Sequence, residues 1–291
     1  MDMTYKIVTD STTDLSDSYA AEHDIVMLGV TVTLEDVTYQ TTGQGHLTSD
    51  VLLKKMSEGA KPVTSQVNVG QFLDAFKPIV SEGVEVLYIG FSSGLSGTLQ
   101  SAKMAQEMIL SETPTAKITI IDTLAAASGE GYLVREAVKL RDAGKTVPEV
   151  VTVLESLVPR LRSWVMADDL FHLSRGGRVS KTAATVGTLV NLKPIIDVDP
   201  EGKLRPAGKI RGKKKAITSV VAAVLAELDS NYPKVMIGYS GDVSVAEKLK
   251  NTLLASDLVQ EVIVTPLGPT IVAHTGSGTI AVFYIAETNR N

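Results

Sequence analysis

The sequence predicts a two-domain α/β fold, with a mostly parallel sheet and flanking helices in the N-terminal part and a second α/β domain after it. Three observations carry this expectation. Short runs rich in β-branched residues alternate with stretches of helical spacing along the whole chain. At 291 residues the chain exceeds the length that one compact core usually organises. An apolar fraction of 44% against 21% charged residues gives material for sizeable buried cores and does not suit a disordered chain.

In chain order the strand runs are "YKIVT" (5–9), "VMLGVTVTL" (26–34), "VEVLYIG" (84–90), "KITIID" (117–122), "RSWVMA" (162–167), "KPIIDV" (193–198), "KVMIGYS" (234–240), "VQEVIVTPL" (259–267) and "IAVFYIA" (280–286). Helical spacing fills 69–80, 98–110, 129–143, 148–157 and 217–228. The alternation reads as α/β with mostly parallel strands. The stretch "KLRPAGKIRGKKKA" (203–216) reads as a hairpin or loop, and the boundary between domains is placed near Pro159, giving domains 1–160 and 161–291. No internal repeat or low-complexity tract interrupts the pattern.

Composition excludes several function classes. The net charge of −5 argues against nucleic acid as the main partner, since phosphate neutralisation calls for a basic balance. With no cysteine there are no disulfides, thiolate metal sites or cysteine nucleophiles. His23, His46, His172 and His274 show no metal-ligand spacing, so no metal is expected. The segment "MDMTYKIVTD" lacks the pattern of a secretory signal, and no apolar run approaches bilayer length. The expected location is the cytoplasm, with at most transient membrane contact.

In open α/β sheets ligands sit beyond the carboxyl ends of the strands, so the segments there are where chemistry is expected. "DSTTDLS" (10–16) follows the first strand, and its hydroxyls and carboxylates read as caps for a helix over 14–22. Asp10 ends an apolar strand, where a carboxylate needs hydrogen bonds, and its role reads as holding the neighbouring hydroxyls. "KPVTSQ" (61–66) reads by itself as a polar loop leading to a helix cap.

"GFSSGLSGTL" (90–99) admits two readings. Gly90, Ser92 and Gly94 match the G-x-S-x-G elbow of a serine hydrolase, with Asp122 or Asp197 and His274 available to complete a triad. Alternatively, Ser96, Gly97 and Thr98 open a helix whose backbone N–H groups and dipole suit a bound anion. Against the elbow stand the missing HGGG-type segment and the unexplained second cluster. His274 lies in "AHTGSGT" (273–279), where the flanking glycines favour a ligand contact over a structural role. A nucleotide site is weakly supported, because the G-x-x-x-x-G-K-[ST] pattern is absent. In "LSRGGRVSK" (173–181), Arg175 and Arg178 straddle a Gly-Gly turn and could bind an anion or bridge Asp168 and Asp169. The cations between 203 and 215 read as solvated surface or as a dock for an acidic partner.

Taken in order, "DSTTD", "TSQ", "FSSGLSGTLQSA", "SRGGRVS", "KPI" and "HTGSGTIAVFY" resemble the DegV family, bacterial fatty-acid-binding proteins that act as the lipid-carrying subunit of fatty acid kinase. The resemblance spans nearly the whole chain. It implies a DegV-like fold with a long-chain fatty acid between the two domains as ligand, no other cofactor and no catalytic machinery in this chain. It also implies a separate ATP-binding kinase subunit that converts the carboxylate to an acyl phosphate for phospholipid synthesis. By position in the motifs, Thr64 and Ser96 would donate to the carboxylate, with His274 in the same network and Ser65, Ser93 and Gly97 as neighbours. Arg175, Arg178, Lys209 and Arg211 would line the face that meets the kinase. The sequence departs from the family pattern at Val67-Asn68, at Ser277 and at "TTGQGHLT" (41–48), which bears on loop shape and chain preference.

Overall fold

The computed structural model describes residues 5–168, 170–180 and 192–291. β1 (Tyr5–Asp10) is followed by a 3-10 turn over Ser11–Thr13. α1 (Asp17–Glu22) starts three residues later than the caps suggested, because Asp14 takes a left-handed backbone (φ 56°) and Ser16 is the residue that caps Tyr19 N–H. The run 26–34 is not one strand. It divides at Gly29–Val30 into β2 (Ile25–Leu28) and β3 (Thr31–Leu34), which belong to different sheets. β4 (Val37–Gln40) and α2 (Ser49–Ser57), capped by Thr48, fill a stretch without strong periodicity.

"KPVTSQ" is no loop: β5 (Val63–Ser65) pairs antiparallel with β3 in a small sheet of order β4-β3-β5. Long-range pairing supplies what three residues of local propensity do not. α3 (Val69–Ser81) opens with a capping box of Asn68 and Gln71, so the Val67-Asn68 pair supplies one buried anchor and one cap. β6 (Glu85–Gly90), α4 (Thr98–Glu112) and β7 (Ile118–Asp122) complete the first sheet, whose order β2-β1-β6-β7 is parallel throughout.

α5 (Ser128–Asp142) and α6 (Val147–Leu157) lead into the second sheet. Its strands are β8 (Leu161–Met166), β9 (Leu192–Val198), β10 (Leu204–Arg211), β11 (Lys234–Tyr239), β12 (Glu261–Pro266) and β13 (Ile280–Ile285). α7 (Phe171–Arg175), α8 (Lys213–Glu227), α9 (Ser244–Leu254) and α10 (Pro269–Thr275) lie between them in sequence. The order is β10-β9-β8-β13-β11-β12, and of these neighbours only β11 and β12 run parallel. The expectation of mostly parallel strands therefore fails in this sheet. Residues 199–203 are too short a link for a parallel crossover, so β9 and β10 form a hairpin, and β13 inserts between β8 and β11 against both. The basic stretch after 203 is the second arm of that hairpin followed by the first turn of α8.

α5 lies between the two large sheets. Its Tyr132 and Leu133 share one core with Ile7 and Leu87 of the first sheet and with Phe283 and Ile285 of the second. Separate apolar clusters cover the outer faces, one on α3 and α4, the other on α8 and α9. No helix among the described residues is long and apolar enough to cross a membrane.

Candidate functional site

A cavity lies between the two large sheets, with about 170 Å³ of room for the centres of water molecules. One wall is the inner face of the second sheet. Thr279, Ala281 and Phe283 occupy every second position along β13 and its approach, a run of about 13 Å. Ser163 and Val165 of β8 continue the same face, in register with Phe283 and Ala281. The facing wall comes from α10 (Thr270, Ile271, His274) and from loops that follow strands of the first sheet (Phe91, Ala126, Ala127). The cavity is largely apolar, as the strand face dictates.

Its polar end is built by Thr64, Gln66, Ser96, Gly97, Arg178 and His274. β5 alternates, so Thr64 turns inward while Val63 and Ser65 are exposed. Thr64 Oγ1 lies 2.8 Å from His274 Nε2, bringing together two positions far apart in the chain. Burial, reinforced by Arg178, Arg175 and His172, pushes the His274 imidazole down to about 4, so the ring is neutral near pH 7. Gly176 makes this packing possible: a Cβ there would sit 2.2 Å from His274 Nδ1. Thr64 and His274 also border a second opening with Lys61, Arg175 and Arg178, so the pair stands between the apolar cavity and a cationic mouth.

Ser96 acts at the start of α4. Its Oγ accepts from Thr98 N–H at 3.2 Å and lies 3.0 Å from Thr98 Oγ1, while α4 has no other side-chain cap. Gly97 is pressed by Gln66, whose Oε1 would be 2.4 Å from an added Cβ, and Gln66 Nε2 in turn donates to Ser101 Oγ at 3.0 Å. The helix N-terminus, two hydroxyls and an imidazole thus converge on one end of the cavity, a donor-rich setting for an anion.

Several expected residues stand elsewhere. Ser65 is exposed on the outer side of β5, and Ser93 is exposed as well, its backbone N–H donating to Asp122 Oδ1 at 3.2 Å. Neither lines the cavity; at Ser65 this follows from β5, where the neighbours of an inward residue point away from it. Ser92 is no nucleophile: it is fully buried, and its Oγ donates to the Gly202 carbonyl at 2.7 Å, tying the β6 loop to the β9–β10 hairpin. The residues invoked for a triad are dispersed, with Asp122 on backbone N–H groups of Ser93 and Leu124, Asp197 paired to Arg205, and His274 on Thr64. Arg178 lines the cavity itself and donates to the carbonyls of Leu95 and Gly176, and Arg175 donates to that of Ala273. Lys209 and Arg211 are exposed on the edge strand β10, away from the mouth. Asp168 pairs with Lys193, not with either arginine, while Asp169 and Lys181 lie outside the described residues. Among the described residues no group of three or more His, Asp or Glu could hold a metal ion.

Sequence reading missed the contribution of Gln66, Lys61 and Thr12. Gln66 and Lys61 lie in "KPVTSQ" and Thr12 in "DSTTDLS", so the segments were legible while the individual contacts were not. Thr12 lines the cavity, and its Oγ1 lies 2.5 Å from Asp10 Oδ1 and 2.6 Å from Glu130 Oε2. One hydroxyl hydrogen cannot serve two acceptors, so one of the carboxyls must donate. Asp10 already accepts from Thr12 N–H and from Tyr88 O–H, whereas Glu130 is fully buried beside it with no other partner on Oε1 among the described residues. Burial and the neighbouring Asp10 push Glu130 well above the usual carboxylate range, and burial raises Asp10 as well.

Residues 4–287 match the family described as "Uncharacterised protein, DegV family". A DegV domain-containing protein of Lactococcus lactis is 52% identical over 288 residues, covering 99% of this chain and all of the relative. A DegV family protein from Thermus thermophilus, described as fatty acid binding, superposes with a TM-score of 0.87 at 32% identity, over 98% of this chain and 100% of that one. A DegV lipid binding protein from Thermotoga maritima gives 0.85 at 27% identity, over 99% and 100%.

Proposed function

Because the chain belongs to the DegV family, we propose that its cavity holds a long-chain fatty acid and presents the carboxylate, at the end formed by Thr64, Ser96 and His274, to a separate ATP-dependent kinase subunit. The observation that carries this reading is the Thr64–His274 pair, set between a largely apolar cavity and a cationic opening. In this reading residues 1–160 and 161–291 act as two domains that clasp the acid from either side. The chain supplies no catalytic group of its own, and it works in the cytoplasm with at most transient membrane contact.

Each part of the acid meets a matching environment. Burying a chain of about sixteen carbons contributes roughly 0.8 kcal/mol per CH₂, on the order of 10 kcal/mol before ordering costs. The carboxylate loses water, which costs several kcal/mol unless donors replace it. Neutral His274 donates from Nε2 to Thr64 Oγ1, which leaves the Thr64 hydrogen for one carboxylate oxygen. Ser96 O–H and the first amides of α4 serve the other. Lys61, Arg175 and Arg178 then draw the incoming phosphate to the mouth. A carboxylate oxygen attacks the γ-phosphorus of ATP held by the partner, the bond to the bridging oxygen breaks, and ADP leaves.

The test is organic extraction of the purified protein followed by mass spectrometry, which is expected to return a long-chain acid in near-stoichiometric amount. Protein that carries none and takes none up overturns the reading. Replacing Thr64 and Ser96 together by Ala is expected to lower fatty acid affinity, and acyl phosphate formation with an added kinase, about tenfold or more while the thermal transition stays cooperative. Wild-type performance of that double variant overturns the assignment of the head group site.

A further inference from the structure

Two hydroxyls on the cavity wall have no partner among the described residues, Ser163 Oγ and Thr270 Oγ1. Their residues are only 3% and 5% exposed, so bulk water does not serve them either. The other wall threonines are satisfied within the protein: Thr275 and Thr279 donate to the carbonyls of Ile271 and Thr275, and Thr12 is held by Asp10 and Glu130. An unpaired hydroxyl against a purely hydrocarbon ligand costs free energy that Val or Ala at the same place would not. The two hydroxyls also differ in depth. Thr270 lies one helical turn before His274 on α10, about 6 Å along the helix axis. Ser163 faces Phe283 in the β8–β13 register, at the far end of the wall that begins with Thr279.

We propose that this cavity is built for an acyl chain carrying a hydroxyl group, a hydroxy fatty acid, with Thr270 or Ser163 as its hydrogen-bond partner. The inference rests on the cavity being a fatty acid site and names the class of acid. Hydroxyl groups serve as donor and acceptor at once, so the ligand oxygen completes a protein hydroxyl in either role. Discrimination then comes from the unpaired wall group, since a site built to pair a hydroxyl disfavours the analogue lacking it.

Delipidated protein is titrated with hexadecanoic acid and with a positional series of monohydroxyhexadecanoic acids. One isomer is expected to bind roughly fivefold tighter than the plain acid, the size of one net neutral hydrogen bond. Thr270→Val or Ser163→Ala is expected to abolish that preference, read as the ratio of the affinities of the hydroxy acid and the plain acid for each variant, and Thr270→Ser is expected to restore it if Thr270 is the partner. Thermal unfolding of each variant shows that the fold persists. If no isomer outbinds hexadecanoic acid, or if the favoured isomer keeps its advantage in both variants, the proposal is wrong although fatty acid binding stands. If no acid of either kind binds, the underlying function fails with it.

Discussion

The two large sheets meet the cavity in different ways. The first, parallel throughout, sends in residues from the loops beyond its strands, such as Phe91 and Ser96 after β6 and Ala126 after β7. The second, mainly antiparallel, offers the flat of the sheet itself, with Ser163, Val165, Ala281 and Phe283 as the wall. A loop leaves backbone N–H groups and short hydroxyl side chains available at a helix start, so it suits an anion. A sheet face has its backbone bonded within the ladder and shows only side chains, so it suits a hydrocarbon. Ser96 and Gly97 thus reach the polar end from a loop of the first sheet, joined there by Thr64 of β5 and His274 of α10, while the second sheet supplies the strand wall.

This division sets the order of expected effects. The largest should come from filling the strand wall: Ala281→Phe places a ring in the tail space, and extracted fatty acid per chain should fall to about a tenth or less by mass spectrometry. Circular dichroism should still show the α/β signature, and undiminished lipid would mean the tail does not run along β13.

A smaller effect is expected from two buried groups that titrate in opposite senses. In the folded state His274 stays neutral down to about 4, whereas the unfolded ring protonates below its ordinary 6.5. Its contribution to stability is full above 6.5 and is lost as pH falls towards 4. Asp14, on Gly268 N–H and Ser128 Oγ, is pushed by burial up to about 7 from an ordinary 3.8. Its contribution is full below 3.8 and is lost as pH rises towards 7. The two slopes oppose each other between pH 4 and 6.5. Asp14→Asn should therefore make stability climb more steeply with pH across that interval, and His274→Asn should flatten or invert it, as read by urea unfolding. Identical pH profiles for wild type and both variants would contradict the placement of these groups.

The smallest effect is expected outside the wall. Ser65→Ala and Ser93→Ala should leave fatty acid affinity within about twofold, the range of surface substitutions, although each adjoins or nearly adjoins a residue at the head group. A tenfold loss at either would show that the loops rearrange when ligand enters.

Much of the architecture was legible from residue patterns. The β-branched runs marked most strands of both large sheets, because propensity and burial agree there. The hydroxyl and glycine clusters after β1 and β6 marked the ends where chemistry gathers, as the geometry of a parallel sheet requires. Thr64, Ser96, Gly97 and His274, suggested by the resemblance, do converge on one cavity end. Less legible were the short strands β4 and β5, the split at Gly29–Val30 and the direction of β13, all of which depend on partners remote in sequence.

Residue order alone was enough for whatever depends on neighbours along the chain: helix caps, strand-forming runs, and the clustering of small polar residues at strand ends. Folding in three dimensions assigned each hydroxyl its task. Ser92 became a tie to Gly202, Ser65 turned to solvent, Thr64 met His274, and Ser163 and Thr270 were left unpaired on a cavity wall. The physical reason is that a side chain's direction follows the strand or helix it rides on, and its partner follows packing between elements that no local pattern encodes.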